Sequence, residues 1–147
     1  LFLGLTFNWG IIMGWTAIAN NISIEPIILY IAAIFWTLGY DTIYGFQDIK
    51  DDEIIGLKST AIKFKANANK FLFICYSLLL ILFTLGGYYM NFHFSYYLLS
   101  IVPLMHLFLY QMKIFNFRDP MSCLKAFKSN NLFGFIILIN ILIAKII

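Results

Sequence analysis

The chain has 147 residues, of which 62% are hydrophobic and 19% aromatic, while only 12% carry charge, and its mean hydropathy is +0.86. Soluble domains carry about a quarter charged residues, so this composition excludes one and points to an integral protein of the lipid bilayer. A net charge of +3, scattered over several loops, gives no basis for nucleic-acid binding.

Five apolar segments follow in chain order: Leu1–Ala19, Ile27–Gly45, Phe71–Tyr89, Tyr96–Tyr110 and Leu132–Ile147. About 20 residues span a hydrocarbon core, and none of these runs alternates polar with apolar residues as a barrel strand would. The predicted fold class is therefore all-α, a polytopic transmembrane bundle with five helices in this chain. The fourth segment can extend at both ends, and the fifth carries Lys145, which can snorkel to the interface. Residue 1 is Leu, inside an apolar run with neither a basic leader nor a small-residue cleavage site, so it does not read as a signal peptide. The expectation is that residues 1–147 form the C-terminal portion of a single membrane domain and are inactive without the rest.

Within the first segment Gly10 and Gly14 form a Gly-x-x-x-Gly, extended by Gly4, which predicts close helix packing. Pro26 sits where a helix can begin, because the first turn needs no N–H there. Asp119-Pro120 marks a second helix start, after which Met121, Leu124 and Phe127 recur opposite Lys125 and Lys128 and predict a short interfacial helix. Cys75 and Cys123 lie too far apart for a metal pair, and His93 and His106 are solitary.

Loop charge alternates. Lys50, Lys58, Lys63, Lys65 and Lys70 follow the second segment, and Lys113, Arg118, Lys125 and Lys128 follow the fourth. The connections at Asn20–Pro26 and Asn91–Ser95 contain neither Lys nor Arg. Five consecutive spans require this alternation, which assigns the loop after the second segment to the cytoplasmic side, in the setting of a bacterial inner membrane.

Four aspartates and a glutamate fall at the end of the second segment and the start of that loop: Asp41, Asp48, Asp51, Asp52 and Glu53. If the second helix continues past Gly45, Asp41, Asp48 and Asp52 fall within about 40° of one another, with Asp41 about 10 Å deeper than Asp48. An acid that deep costs on the order of 3 kcal/mol and should face a polar cavity. Solvated charges at a helix end account for Asp51 and Glu53 but not for Asp41. Three converging carboxylates repel unless a cation joins them, and Mg²⁺ takes one or two carboxylates, completing its shell with water and phosphate oxygens. Gly56-Leu57-Lys58-Ser59-Thr60-Ala61 follows, offering a turn, a charge and hydroxyls suited to phosphate, without the frame of a Walker loop.

The Asp41–Ile62 stretch resembles the second aspartate-rich motif of the UbiA superfamily of intramembrane aromatic prenyltransferases, in particular the branch acting on 4-hydroxybenzoate. Phe7-Asn8-Trp9-Gly10, Met13, Tyr110-Gln111, Lys113, Cys123, Lys125-Ala126-Phe127, Asn130-Asn131 and Gly134 extend the likeness along the chain. The resemblance implies a nine-helix bundle of which this chain supplies the last five, with an earlier aspartate motif of the other half absent here. It implies that Asp48 and Asp52 hold Mg²⁺ and, with Asp41, carry catalysis, while Tyr44, Lys58 and Asp51 meet the substrate. The implied reaction moves a polyprenyl group from polyprenyl diphosphate to the ring of 4-hydroxybenzoate in ubiquinone biosynthesis. A truncated, inactive remnant of such an enzyme stays open as an alternative. A cation transporter fits less well, since it predicts acids distributed through the membrane and only Asp41 lies deep. A CDP-alcohol phosphotransferase would need Asp-Gly-x-x-Ala-Arg, which this sequence lacks.

Overall fold

A computed structural model describes residues 2–146; the predicted segment ends Leu1 and Ile147 lie outside the described residues. All regular structure among the described residues is helical. Five helices are long and apolar enough to cross a membrane: α1 (Phe2–Ala19), α2 (Ile24–Gly45), α5 (Lys65–Tyr89), α6 (Phe94–Ile114) and the run Pro120–Ile146. That last run consists of α7 (Pro120–Lys128) and α8 (Asn130–Ile146). Two short helices, α3 (Ile49–Ile54) and α4 (Thr60–Lys63), fill the connection after α2.

The central element is α2, which packs most extensively on α5 and also touches α1, α4 and α7. Gly39 permits the α2–α5 approach, because a Cβ there would collide with the ring of the fully buried Tyr76. The main core runs along this seam through Ala32, Ile43, Leu72, Cys75 and Leu79, and both cysteines are free.

Polar residues interrupt the helices. Asn8 breaks α1 between Phe7 and Trp9, and its amide donates to Gly4 O and to Thr37 Oγ1, both at 2.7 Å. In α6, Pro103 has no N–H to donate to the Leu99 carbonyl, and the helix is interrupted at Ser100. A π-helical turn follows at His106–Gln111. It carries the buried Gln111 side chain towards α7, where its amide donates to Ala126 O and Ser129 Oγ, each at 3.0 Å.

Three expectations change. Gly4 does pack, with Ile34 beside it, but a Cβ at Gly10 or Gly14 would meet nothing, so that pair closes no contact within this chain. Asp119 caps α7 as expected, accepting from Met121 N at 3.0 Å. The buried face of α7 is Cys123 and Ala126, however, and Met121 is 72% exposed. Small side chains let α7 approach Gln111, and i to i−4 bonds at Ser129 and Phe133 carry it almost without a break into α8. Finally, α2 stops at Gly45. Phe46 turns inward at 1% exposure against Phe115 and Phe117, and the buried Ile49 anchors the next turn. Burying these two side chains takes the chain out of the α2 axis, so helical phase does not relate Asp41 to Asp48 and Asp52.

Candidate functional site

The fold-back nevertheless brings the three aspartates to one place. Asp41 and Tyr44 from the last turns of α2, Asp48 and Asp52 around α3, and Ser59 and Thr60 at the start of α4 line a recess of about 230 Å³. Its frame is locally determined. Gly56, at φ +73°, reverses the chain after α3 in the left-handed region that L residues avoid, and Leu57 N then bonds to Asp52 O at 2.9 Å. Lys65 bridges both carboxylate oxygens of Glu53 at 2.7 and 2.9 Å, tying α3 to the start of α5.

Hydroxyl chemistry at the recess follows from proton counting. Thr42 Oγ1 donates its single proton to Leu38 O at 2.6 Å and stands 2.7 Å from Thr60 Oγ1. Thr60 must therefore donate to Thr42, and only its acceptor lone pairs remain for the recess. Ser59 Oγ accepts from Ile62 N at 3.2 Å as the α4 cap and keeps its own proton free. The wall thus presents three carboxylates and one acceptor hydroxyl against two hydroxyls with protons to donate, those of Ser59 and Tyr44.

None of the three carboxylates is in an ion pair, since the one pair among the described residues is Lys65–Glu53. Among the described residues there is also no group of three or more His, Cys, Asp or Glu placed to cage a metal unaided. The donor set is all oxygen and open on one side. That fits a hard cation such as Mg²⁺, which binds through one or two carboxylates and leaves positions for water and phosphate oxygens. Asp48 and Asp52 are the residues that would hold it.

The remaining predicted positions divide. Tyr44 is in the recess wall. Asp51 instead lines an adjoining hollow of about 430 Å³ together with Lys50, Lys65 and Arg118, and Asp48 stands on the divide between the two. Lys58 is exposed and lines neither.

Behind Tyr44 runs an aromatic file not anticipated from the sequence. Phe127 of α7 packs on Tyr44 at 4.8 Å and on Tyr40 at 6.0 Å, and Tyr40 meets Trp36 at 5.6 Å. Asn130 fixes the file by accepting from Trp36 Nε1 at 2.9 Å. The signal was the four-residue spacing of Trp36, Tyr40 and Tyr44, which places them on one stripe of α2.

The fold and this recess define a class: an integral-membrane helical bundle with an acidic, oxygen-lined site at one end of its central helix. Residues 1–138 match the family model described as the UbiA prenyltransferase family, and the chain belongs to that family. It is 40% identical over 148 residues to a mitochondrial 4-hydroxybenzoate polyprenyltransferase of Dictyostelium discoideum, covering 99% of this chain and 31% of that protein. It is 40% identical over 141 residues to a 4-hydroxybenzoate octaprenyltransferase of Haemophilus ducreyi, covering 96% of this chain and 50% of the relative. The enzyme of that name from Pasteurella multocida is 38% identical over 142 residues, covering 97% and 49%. The chain thus spans about a third to a half of the length of these curated relatives. No solved structure matches it.

Proposed function

We propose that the chain forms the diphosphate-binding part of a 4-hydroxybenzoate polyprenyltransferase that acts in ubiquinone biosynthesis. The observation that carries this reading is the recess itself: Asp41, Asp48, Asp52 and a proton-committed Thr60 share one wall, and none of the three acids is in an ion pair. Such a wall repels a bare diphosphate and accepts one that arrives with metal. The names of the relatives supply the substrate pair, polyprenyl diphosphate and 4-hydroxybenzoate.

Bound Mg²⁺ supplies charge neutralisation to the departing diphosphate. Asp48 and Asp52 would hold the ion, while Asp41 extends the negative wall into α2. The Ser59 hydroxyl donates to a phosphate oxygen, and Lys58 adds positive charge from the adjacent loop. The allylic C–O bond then breaks with its electron pair leaving on the diphosphate. Tyr44, held by Phe127, turns a ring face to the resulting cation. The ring carbon ortho to the 4-hydroxyl forms the new C–C bond and loses its proton to solvent or diphosphate. No protein nucleophile takes part. The Lys-rich connection after α2 supports a cytoplasmic position for the recess.

The test is transfer of a labelled prenyl group to 4-hydroxybenzoate in membranes containing the protein, with substitutions made at the native locus. Asp48→Asn and Asp52→Asn are each expected to lower turnover by about 100-fold or more, the scale of several kcal/mol of lost charge stabilisation. Wild-type turnover in both variants would end the assignment.

A further inference from the structure

The charged residues of this chain are distributed unevenly. Ten are basic and seven acidic, and all but two lie in or next to the two basic connections or, like Asp41, at the recess end of α2. The exceptions are Glu25, in the first turn of α2, and Lys145, in the last turn of α8. Both belong to the opposite end of the bundle, and both line one cavity there, of about 730 Å³, with Trp15, Asn91 and Phe92. They do not pair with each other, because Lys65–Glu53 is the one ion pair among the described residues. Trp15 Nε1 and Glu25 Oε2 are shielded from solvent without a hydrogen-bond partner. Unpartnered polar atoms of this kind call for a ligand or water.

The cavity continues inward. Leu29 and Ile141 line both it and an apolar cavity of about 310 Å³ that reaches Ala32, Leu79 and Phe133 between α1, α2, α5 and α8. The outer cavity therefore holds a negative and a positive group, and it shares the Leu29–Ile141 wall with an apolar cavity. Separated opposite charges above an apolar channel complement a zwitterionic amphiphile.

We propose that this cavity binds one phospholipid with a primary-amine headgroup, of the phosphatidylethanolamine class. Its ammonium is held by Glu25, its phosphate by Lys145 and the Trp15 N–H, and one acyl chain lies along Leu29 and Ile141. A primary ammonium offers three N–H donors to the carboxylate, which the quaternary ammonium of phosphatidylcholine cannot, and an anionic headgroup places no positive charge at Glu25. The charged mouth lies at the far end of α2 from the aspartates, while the apolar cavity beside it is lined also by Trp36, of the aromatic file behind Tyr44.

Native mass spectrometry of the purified chain tests this, using phosphatidylethanolamine, phosphatidylcholine and phosphatidylglycerol with identical dioleoyl chains. Wild-type protein is expected to retain one phosphatidylethanolamine in preference to either competitor by about tenfold, the effect of about 1.4 kcal/mol. Glu25→Gln should abolish that preference, and Glu25→Lys should reverse it in favour of phosphatidylglycerol. Lys145→Gln should weaken retention of all three. Far-ultraviolet circular dichroism establishes that each variant keeps its helices, and Leu29→Trp, which obstructs the channel while leaving the charges, should expel the lipid independently. Equal retention of the three lipids by wild type would overturn the proposal, as would an unchanged preference in both folded Glu25 variants. A co-purified isoprenoid that phosphatidylethanolamine does not displace would also overturn it, by assigning the channel to another lipid.

Discussion

At the scale of single residues, the acceptor character of the recess depends on where one proton goes. Thr42 is fully buried and commits its hydroxyl proton to Leu38 O, which obliges Thr60 to donate to Thr42. Thr42→Val removes that acceptor and frees the Thr60 proton to point at the carboxylates. The expected loss is about 1–2 kcal/mol of stability, read by thermal unfolding in detergent, together with a changed metal requirement. Thr42→Ser should restore both, and a Val variant as stable as wild type would show that the pair contributes nothing. The acids themselves were legible in the sequence, because carboxylates so close to apolar helix demand an explanation. The direction of the Thr60 proton was not, since it follows from a contact between residues eighteen positions apart.

Helix packing shows the same division. Gly39 and Gly10 look alike in sequence, two glycines in apolar helices, yet only Gly39 lies against another helix. Gly39→Ala should lower stability by about 1–3 kcal/mol through collision with the buried Tyr76 ring. Gly10→Ala in the purified chain should be neutral or slightly stabilising, as the helix interior gains up to about 1 kcal/mol of propensity. Thermal unfolding of the two variants side by side checks the pair, and equal effects would contradict the packing described. The sequence marked Gly10 and Gly14 by their spacing and left Gly39 unmarked, because a glycine's partner on another helix leaves no trace in its own segment. The end of α2 was hidden for a related reason. Gly45 weakens the helix locally without fixing its end; burial of Phe46 against Phe115 and Phe117, some seventy residues away, accompanies the turn. The face of α7 was misjudged because Met121 and Leu124 are more hydrophobic than the buried Cys123 and Ala126, and close approach selects small residues.

For the whole molecule, five spans and their order were readable from hydropathy alone; the ends at Ala19, Gly45 and Tyr89 agree, while the second, third and fifth spans begin earlier, at Ile24, Lys65 and Pro120, and the fourth extends over Phe94–Ile114. Loop charge makes a separate statement about orientation. A single cysteine placed at Lys58, with Cys75 and Cys123 replaced by serine, should react with a membrane-impermeant maleimide only after the cytoplasmic side is opened. Labelling from outside intact cells would invert the topology. The fold places Glu25 and the aspartate recess at opposite ends of α2, so substitutions at Glu25 and at Asp48 should act independently.

Asp48 and Asp52 are proposed to hold a divalent ion that the diphosphate shares. Electron paramagnetic resonance of Mn²⁺, used in place of Mg²⁺, tests it without requiring turnover. In the wild-type protein, inorganic diphosphate should convert part of the Mn²⁺ signal to a broadened, protein-bound form. The Asp48→Asn/Asp52→Asn double variant should show only the spectrum of free Mn²⁺–diphosphate. An identical bound signal in both proteins would contradict the account.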